Sequence, residues 1–281
     1  MDCVNVGICG LGTVGSGVAN LLMRNGEEIQ RKTGRSISLV HVGARRDHPD
    51  CDLSGIQVSR DIFAVVNDPQ VDIVCELIGG TDTALELVRQ AIKNGKHVVT
   101  ANKALVAQYG EELFCLANAA GVSLMYEAGI AGGIPIVKAI REGLAGNRIS
   151  RLAGIINGTS NYILTEMEVG GNRSFAEVLV EAQALGYAEA DPTFDVEGID
   201  AAHKLTILSS IAFGVPLRFD AIYTEGIANI TVEDIRFASE LGYRIKHLGI
   251  TTRSELGIEL RVHPTLVEKT HLLAQVNGVM N

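Results

Sequence analysis

Short apolar runs alternate with amphipathic stretches over the first 130 residues of the chain. Apolar runs of about four to eight residues are typical of buried strands, whereas apolar positions three and four apart are typical of helices. The pattern predicts strands over residues 4–9, 38–42, 71–77, 96–100 and 122–126, and helices over residues 13–30, 62–67, 83–94 and 110–120. Because strands alternate with helices, we expect βαβ units built on a buried parallel sheet.

The pattern changes after a glycine-rich segment at residues 129–135. Helices are predicted over residues 134–144, 160–169, 174–185 and 195–213, and strands over residues 149–156, 248–250 and 258–262. Strands and helices no longer alternate strictly, which is typical of an α+β arrangement. The sequence therefore predicts an α/β protein of two domains, residues 1–130 and residues 131–281, in keeping with a chain of 281 residues.

The charge of the chain argues against two classes of partner. Its 24 Lys and Arg residues stand against 33 Asp and Glu residues, a net charge of −9. A net negative chain, only 5% aromatic and without Trp, is unsuited to nucleic acid or to an anionic membrane. The longest apolar stretch, residues 205–217, is interrupted by polar residues and is shorter than the roughly 20 residues of a membrane span.

The spacing of cysteines and histidines argues against disulfide bonds and against a structural metal ion. The five cysteines are Cys3, Cys9, Cys51, Cys75 and Cys115, and no two of them form a C-x-x-C pair. This set does not fit a disulfide framework or structural zinc, and the seven histidines show no close ligand spacing. We expect reduced thiols, no transition metal and, since no cationic segment opens the chain, a cytoplasmic protein without a secretory signal.

A G-x-G-x-x-G motif lies between the first predicted strand and the first predicted helix. Gly10 would make the tight turn, Gly12 would let the backbone approach a pyrophosphate, and Gly15 would let helix and strand pack closely. Glycines also serve ordinary turns, but the strand before the motif and the helix after it favour phosphate binding. We therefore expect a Rossmann-type dinucleotide-binding domain, whose phosphate contacts come from Gly10, Leu11, Gly12, Thr13, Val14 and Gly15.

The end of the second predicted strand bears on the choice of cofactor. An acidic residue there would accept the ribose hydroxyls of NAD, whereas arginine would pair with the 2′-phosphate of NADP. Arg45 and Arg46 occupy this place, so NADP is favoured over NAD. One arginine as a solvated loop charge is the plainer interpretation, and Asp47 leaves the use of NAD open.

The second half of the chain concentrates carboxylates before a predicted helix. Glu189, Asp191 and Asp195 lie within seven residues, and Asp200 and Lys204 follow four residues apart, on one helix face. An exposed ion pair of this spacing contributes only a few tenths of a kcal/mol. The surrounding Ala and Ile residues favour a buried helix instead, in which a lysine has a lowered pKa and can donate a proton. Spacing alone does not decide between these two interpretations.

Two further positions are candidates for chemistry. Lys103 follows the predicted strand 96–100, so it lies at the carboxyl edge of a parallel sheet, where ligands of such sheets bind. The alternative is a solvated loop lysine. The polar turn Asn157, Gly158 and Thr159 precedes a helix; Ser160 could cap this helix, or the turn could offer N–H groups to a carboxylate. His203 is expected to be packed or hydrogen-bonded rather than catalytic.

Several motifs together carry a family resemblance. The chain resembles homoserine dehydrogenases in the motifs at residues 10–15, 100–103, 127–135, 154–162, 186–204 and 263–267, which cover essentially its whole length. The motifs at 157–162 and 186–204 are far more specific than the glycine turn. The resemblance implies hydride transfer with NAD(P) that interconverts L-homoserine and L-aspartate 4-semialdehyde, a step toward threonine, methionine and isoleucine.

The same resemblance implies a role for individual residues. Lys204 matches the proton-donating lysine of the family, and Asp200 matches the aspartate that orients it or a bound water. Glu189 matches the residue that holds the ammonium of the substrate, and Asp195 a further carboxylate on the substrate side. Lys103 matches a lysine beside cofactor and substrate, and residues 157–159 fall in the substrate-binding motif.

A monovalent cation, Na⁺ or K⁺, is also implied by the resemblance. The backbone carbonyls of Glu127, Ile130, Gly132 and Ile134 match a loop that coordinates such an ion in some members of the family. Carbonyl oxygens suit a hard cation. No covalent intermediate is needed for hydride transfer, so none of the cysteines is expected to be a nucleophile.

The remaining expectations concern the oligomeric state of the protein and the extent of the chain. A homodimer is expected through residues 146–169 of the second domain, since a sheet edge there can be completed by a second copy; these residues could equally fill the core of their own domain. Family members continue past residues 277–281, so the chain is interpreted as a truncated catalytic core. The alternatives are another NAD(P)-dependent amino-acid dehydrogenase and a catalytically silent cofactor-binding fragment.

Overall fold

A six-stranded parallel sheet forms the centre of the first of two compact units, Met1–Ile136. The computed structural model describes residues 3–171 and 173–279. The strands are β1 (Val4–Cys9), β2 (Ile37–Gly43), β3 (Gln57–Ser59), β4 (Ile73–Glu76), β5 (His97–Thr100) and β6 (Leu124–Met125). Their spatial order is β3-β2-β1-β4-β5-β6, so the strand order reverses between β1 and β4. In such sheets ligands bind beyond the carboxyl ends of the strands at this reversal.

Helices connect the strands of the first unit and cover both faces of the sheet. They are α1 (Thr13–Arg24), α2 (Gly26–Thr33), α3 (Ile62–Asn67), α4 (Asp82–Lys93) and α5 (Lys103–Ala120). Along β1, Val6 and Ile8 pack into one apolar cluster, and Cys9 packs into the other together with residues of α4 and α5. This two-sided burial explains why the strands read as continuous apolar runs, and it confirms the predicted parallel sheet.

The second unit, Val137–Asn281, contains a mixed four-stranded sheet. Its strands are β7 (Arg151–Gly154), β8 (Tyr223–Thr224), β9 (Tyr243–Ser254) and β10 (Gly257–Glu268), in the order β7-β9-β10-β8. Its helices are α7 (Gly158–Val169), α8 (Phe175–Ala184), α9 (Thr193–Val196), α10 (Ile199–Phe213), α11 (Val232–Glu240) and α12 (Leu272–Gln275). A short helix, α6 (Ile136–Lys138), continues into a π-helical turn, Ala139–Gly143. The second unit is α+β, as predicted.

The sequence located most elements but misjudged several of their ends. The helix expected over residues 13–30 is two helices, interrupted at Asn25, a poor helix former that ends α1 and precedes α2. The helix expected over residues 195–213 is interrupted at Gly198, whose φ of 80° lies in the left-handed region. The sequence did not predict the short strands β3 and β8 or the helices α11 and α12. The domain boundary at residue 130 stays a prediction; the first compact unit ends at Ile136.

Within residues 3–171 and 173–279, no helix combines the length and apolar character that crossing a membrane requires. All five cysteines lie in these residues and are unpaired. Of the end segment 277–281, residues 280 and 281 lie outside the described residues.

Candidate active site

The glycine turn of the first unit has the geometry that the motif predicts. Gly10 has a φ of 99°, and a Cβ atom at this position would lie 2.6 Å from the carbonyl oxygen of Leu77. A Cβ atom on Gly15 would lie 2.0 Å from the carbonyl oxygen of Gly10, so helix and turn are in close contact. Around Gly12, by contrast, no described atom lies within 4 Å of a Cβ position. The turn is therefore tight on its inner side and open above Gly12, where α1 begins.

A cavity of about 700 Å³ opens at this turn. Its lining consists of the glycine turn and of segments that follow β2, β3 and β4: Gly10, Leu11, Gly12, Gly43, Ala44, Arg45, Arg46, Arg60, Asp61, Ile62, Phe63, Leu77, Ile78, Gly79 and Thr83. The cavity thus lies at the carboxyl edge, next to the reversal of strand order. It is large enough for a cofactor-sized ligand.

Three arginines line this cavity, one more than the sequence singled out. Arg45 and Arg46 lie where the spacing places them, at the end of β2. The guanidinium of Arg60 donates to both carboxylate oxygens of Asp47, at 2.9 and 3.0 Å, and to the carbonyl oxygen of Ala44 at 3.2 Å. Asp47, the residue that left the use of NAD open, is therefore paired with an arginine. Arg60 gave no signal in the sequence because it is remote from Asp47 along the chain.

Lys103 is the first residue of α5, directly beyond the carboxyl end of β5. The helix begins here, well before the predicted start at residue 110, because Asn102 is its N-cap and accepts the N–H of Leu105 at 3.1 Å. The side-chain amide of Asn102 also donates to the carbonyl oxygen of Gly80 at 2.7 Å. Lys103 therefore extends from a rigid helix start rather than from a loose loop.

The loop proposed for a monovalent cation follows β6 in the same unit. Glu127–Gly129 form a 3₁₀ turn, in which the Glu127 carbonyl oxygen accepts the N–H of Ile130 at 3.2 Å. The Ile134 carbonyl oxygen accepts the N–H of Ile136 at 2.8 Å. A carbonyl oxygen has two lone pairs, so both remain able to bind a hard cation.

Asn157 connects the carboxylates of the second unit. It is the N-cap of α7, and its side-chain oxygen accepts the N–H of Ser160 at 2.8 Å, so the cap is Asn157 and the suggestion of a Ser160 cap was wrong. Its amide nitrogen donates to Asp195 Oδ1 at 2.8 Å and to Asp200 Oδ2 at 3.0 Å. The predicted turn and the predicted carboxylates are thus brought together.

Asp200 and Lys204 face each other one turn apart on α10. Lys204 Nζ lies 2.8 Å from Asp200 Oδ2 and donates to the carbonyl oxygen of Ile156 at 2.9 Å. The two side chains are only 5% and 18% exposed, respectively. The sequence left open whether Asp200 and Lys204 form an exposed ion pair or lie on a buried helix. The structure shows the buried arrangement. An ammonium carries three N–H donors, so one more can point to a ligand oxygen.

The loop before α9 contributes the other predicted residues. Thr159 donates its hydroxyl hydrogen to the carbonyl oxygen of Tyr187 at 2.7 Å, which fastens this loop to α7. Glu189 is exposed, and its backbone oxygen accepts the side-chain amide of Gln183 at 3.0 Å. Asp195 is half-buried beside Asn157. Asp191 is exposed and accepts the N–H of Thr193, so it serves the local turn.

His203 is packed, as expected. It is 3% exposed, and its ring stacks on Phe219 with ring centroids 4.3 Å apart.

The sequence did not single out a second buried lysine in this unit. Lys246 on β9 is 1% exposed, and burial lowers its pKa to about 8. Its ammonium donates to the carbonyl oxygen of Val276 at 2.5 Å and to the side-chain oxygen of Asn161 at 3.2 Å. Asn161 in turn donates to the carbonyl oxygen of Gly278 at 2.9 Å. The pair fixes the segment after α12 against the start of α7; no signal in the sequence pointed to it, because Lys246 precedes the predicted strand 248–250 and lies beside other charged or polar residues.

Comparisons with known proteins agree with this arrangement in both units. A family model described as homoserine dehydrogenase matches residues 135–281, and one described as homoserine dehydrogenase, NAD binding domain, matches residues 10–127. The chain belongs to the homoserine dehydrogenase family. The resemblance inferred from the sequence motifs is thereby confirmed.

Individual relatives are similar over nearly the whole chain. The homoserine dehydrogenase of Pseudomonas aeruginosa is 62% identical over 281 residues, which are 100% of this chain and 64% of that protein. The crystal structure of a homoserine dehydrogenase from Thiobacillus denitrificans, 60% identical, has a TM-score of 0.95 and is matched over 99% of this chain and 64% of that one. A putative homoserine dehydrogenase from Archaeoglobus fulgidus, 36% identical, has a TM-score of 0.86, with 98% and 87% covered. The chain thus spans 64% of the length of its P. aeruginosa relative.

Proposed function

We propose that this chain carries the catalytic residues of an enzyme that interconverts L-homoserine and L-aspartate 4-semialdehyde with a nicotinamide cofactor. The observation that carries the proposal is the network of Asn157, Asp195, Asp200 and Lys204 in the second unit. An ammonium held by a buried carboxylate suits a reaction in which negative charge develops on a carbonyl oxygen. Membership of the homoserine dehydrogenase family supports the choice of substrate.

Lys204 is the proposed proton donor. Asp200 and the Ile156 carbonyl hold two of its N–H groups, which fixes the direction of the third. When an aldehyde oxygen gains negative charge, this ammonium stabilises the charge and then supplies the proton. In the oxidation of an alcohol, the neutral amine accepts the proton in return. Asp200 acts by orienting the ammonium of Lys204, which lies 2.8 Å from its Oδ2.

Substrate recognition is the proposed role of the surrounding residues. Glu189 and Asp195 offer carboxylates to the substrate ammonium, and Glu189 is exposed and therefore accessible. The start of α7, from Asn157 through Gly158 to Thr159, offers backbone N–H groups to the substrate carboxylate. The second unit thus offers carboxylates to the ammonium of a zwitterionic amino acid and N–H groups to its carboxylate.

The cofactor is proposed to bind at the glycine turn of the first unit. The open space above Gly12 fits the close approach of a pyrophosphate, and Arg45 and Arg46 fit the 2′-phosphate of NADP. When bound, the nicotinamide supplies or accepts the hydride. Lys103 is proposed to lie beside the cofactor and the substrate at the same edge of the sheet, where β5 ends. A monovalent cation, Na⁺ or K⁺, is proposed at the carbonyls of Glu127, Ile130, Gly132 and Ile134.

One pair of assays tests the function. NADPH oxidation with aspartate semialdehyde and NADP⁺ reduction with homoserine should both proceed with the purified chain. Added K⁺ or Na⁺, compared with a bulky organic cation, tests the loop at residues 127–134 in the same assays. Turnover of another amino acid or aldehyde in place of these substrates would support a different dehydrogenase. Tight binding of NADPH without any turnover would support a cofactor-binding fragment.

Replacing Arg45 and Arg46 together with alanine tests the preference for NADP. Each charge-assisted contact contributes about 1.5–3 kcal/mol, so the KM for NADPH should rise at least ~10-fold. The KM for NADH should change less than about threefold, because NADH lacks the 2′-phosphate. Arg35→Ala is the matched control, since Arg35 is exposed and does not line the cavity. Equal effects on the two cofactors would contradict the assignment.

We also propose a homodimer formed through the second unit. Strand β7 lies at one edge of the four-stranded sheet, where its outer backbone groups can pair with a second copy. Much of α7, by contrast, fills the core of its own unit, with Ile163 and Leu164 almost fully buried. Light scattering should give twice the mass of one 29.9 kDa chain. A single-chain mass at micromolar concentration would refute the dimer.

A further inference from the structure

A buried carboxylate that the proposed function does not use lies at the carboxyl edge of the first unit. Glu76 is the last residue of β4 and is 0% exposed. Glutamate is almost never fully buried unless it is paired, because removing a charge from water is costly. The partners of Glu76 among the described residues are neutral hydrogen-bond donors, and no cation is among them. The site thus has a negative group without a positive counterpart in residues 3–171 and 173–279.

Two donors hold the Glu76 carboxylate in place. Its Oε1 accepts the N–H of Ile78 at 2.9 Å, and its Oε2 accepts the hydroxyl of Thr100 at 2.5 Å. The polar side chain of Asn102 also acts to lower the pKa of the carboxyl group. These bonds favour the charged form, but burial outweighs them and raises the pKa of Glu76. A positive charge brought nearby would lower this pKa again and would itself be stabilised.

The segment directly after Glu76 lines the cofactor cavity. Leu77, Ile78 and Gly79 all belong to the lining, and Ile78 is the residue whose N–H the carboxylate binds. The carboxylate therefore lies immediately beneath the wall of the cavity.

The strand order indicates which end of a cofactor lies near Glu76. A dinucleotide lies across the reversal between β1 and β4, with one nucleotide on each side. The arginines that fit the 2′-phosphate follow β2, on the side of the adenosine. The nicotinamide end therefore belongs to the side of β4 and β5, where Glu76 and Thr100 end their strands.

We propose that the buried carboxylate of Glu76 sets the relative affinity of the site for the oxidised and reduced forms of the cofactor. The oxidised nicotinamide ring carries a positive charge and the reduced ring is neutral. A negative charge beneath the cavity wall attracts the charged oxidised ring but not the neutral reduced ring, and a buried charge is screened less than an exposed one. The inference rests on the proposed binding of a nicotinamide cofactor in the first unit.

A purely structural role for Glu76 has a different consequence. If the carboxylate only ties Ile78 and Thr100 together, its loss loosens the cavity wall for both redox forms. The two dissociation constants then change by the same factor. The ratio of the Kd for NADP⁺ to the Kd for NADPH separates the two roles.

The test measures both dissociation constants by titration calorimetry for the wild-type chain and two variants. Glu76→Gln keeps the shape and removes the charge, and the ratio of Kd(NADP⁺) to Kd(NADPH) should rise about tenfold. Thr100→Val is the matched control, because it removes one of the same hydrogen bonds and keeps the charge; its ratio should stay within about twofold of wild type. An unchanged ratio in folded Glu76→Gln overturns the inference. If neither redox form binds the wild-type chain, the proposed function fails instead.

Proton release by the wild-type chain gives a second readout that needs no variant. Binding of NADP⁺ should release more protons than binding of NADPH, as measured by calorimetry in buffers of different ionisation enthalpy. The 2′-phosphate is common to both forms, so its contribution cancels in the difference. The neighbouring thiols of Cys9 and Cys75 have a pKa raised by burial, to about 11 for Cys75, and stay protonated. Equal proton release for the two forms at every pH at which the chain stays folded would overturn the inference.

Discussion

Lys204→Ala should lower kcat by about 10²–10⁴-fold, the usual contribution of a general acid, with little change in the KM for homoserine. In the proposed mechanism the lysine interacts with a charge that develops in the transition state, so its removal should affect the reaction step more than substrate binding. Steady-state kinetics in both directions measure the effect. Asp200→Asn should lower kcat less, because the ammonium remains and loses only its charged partner at 2.8 Å.

The matched control for Lys204→Ala is a lysine in an exposed pair of the same spacing. Lys32 lies 3.2 Å from Glu28 on α2, and both side chains are about half exposed or more, at 73% and 49%. Lys32→Ala should cost a few tenths of a kcal/mol of stability and leave kcat unchanged. Normal kcat in Lys204→Ala would reject Lys204 as the proton donor and shift that role to Lys103.

Gly15→Ala should weaken cofactor binding by about 10–100-fold. The added Cβ atom would lie 2.0 Å from the carbonyl oxygen of Gly10, a backbone atom that cannot rotate away as a side chain would. Overpacking of this kind costs about 1–3 kcal/mol, and here the relief has to come from the turn that is proposed to bind the phosphates. Fluorescence titration with NADPH measures the loss, and thermal unfolding measures the accompanying loss of stability.

Gly17→Ala provides the control on the same helix, two residues further on. No described atom lies within 4 Å of a Cβ position on Gly17, and alanine is a better helix former than glycine. This variant should therefore bind NADPH normally and be slightly more stable. If Gly15→Ala also bound NADPH with wild-type affinity, the glycine turn would not be the phosphate site.

The alternation of apolar runs was sufficient to predict five of the six strands in the sheet of the first unit. These strands are buried in the sheet as continuous apolar runs and need no partner to be recognised, whereas β3 is a short edge strand with two polar residues. The predicted bounds of β1 and α3 agree with the structure residue for residue. The helix break at Gly198 was harder to foresee, because helical spacing continues through it; its φ of 80° places Glu197 outside α10.

Spacing along α10 likewise placed Asp200 and Lys204 on one face, but it left their environment undecided. The environment comes from residues remote in sequence: Asn157 at the start of α7 and the carbonyl of Ile156. Both reach α10 only through the packing of the second unit. The choice between an exposed ion pair and a held ammonium was therefore made by tertiary structure.

The sequence by itself determined five of the six strands of the parallel sheet, the glycine turn with its two arginines, and the family to which the chain belongs. These features are local, since strand periodicity, turn chemistry and motif spacing involve neighbours along the chain. Only the tertiary structure placed Arg60 against Asp47, buried Glu76 at the end of β4, and joined Lys246 and Asn161 to the segment at Val276. Such contacts link residues far apart in sequence, and the burial that gives each charge its strength exists only after the chain has folded.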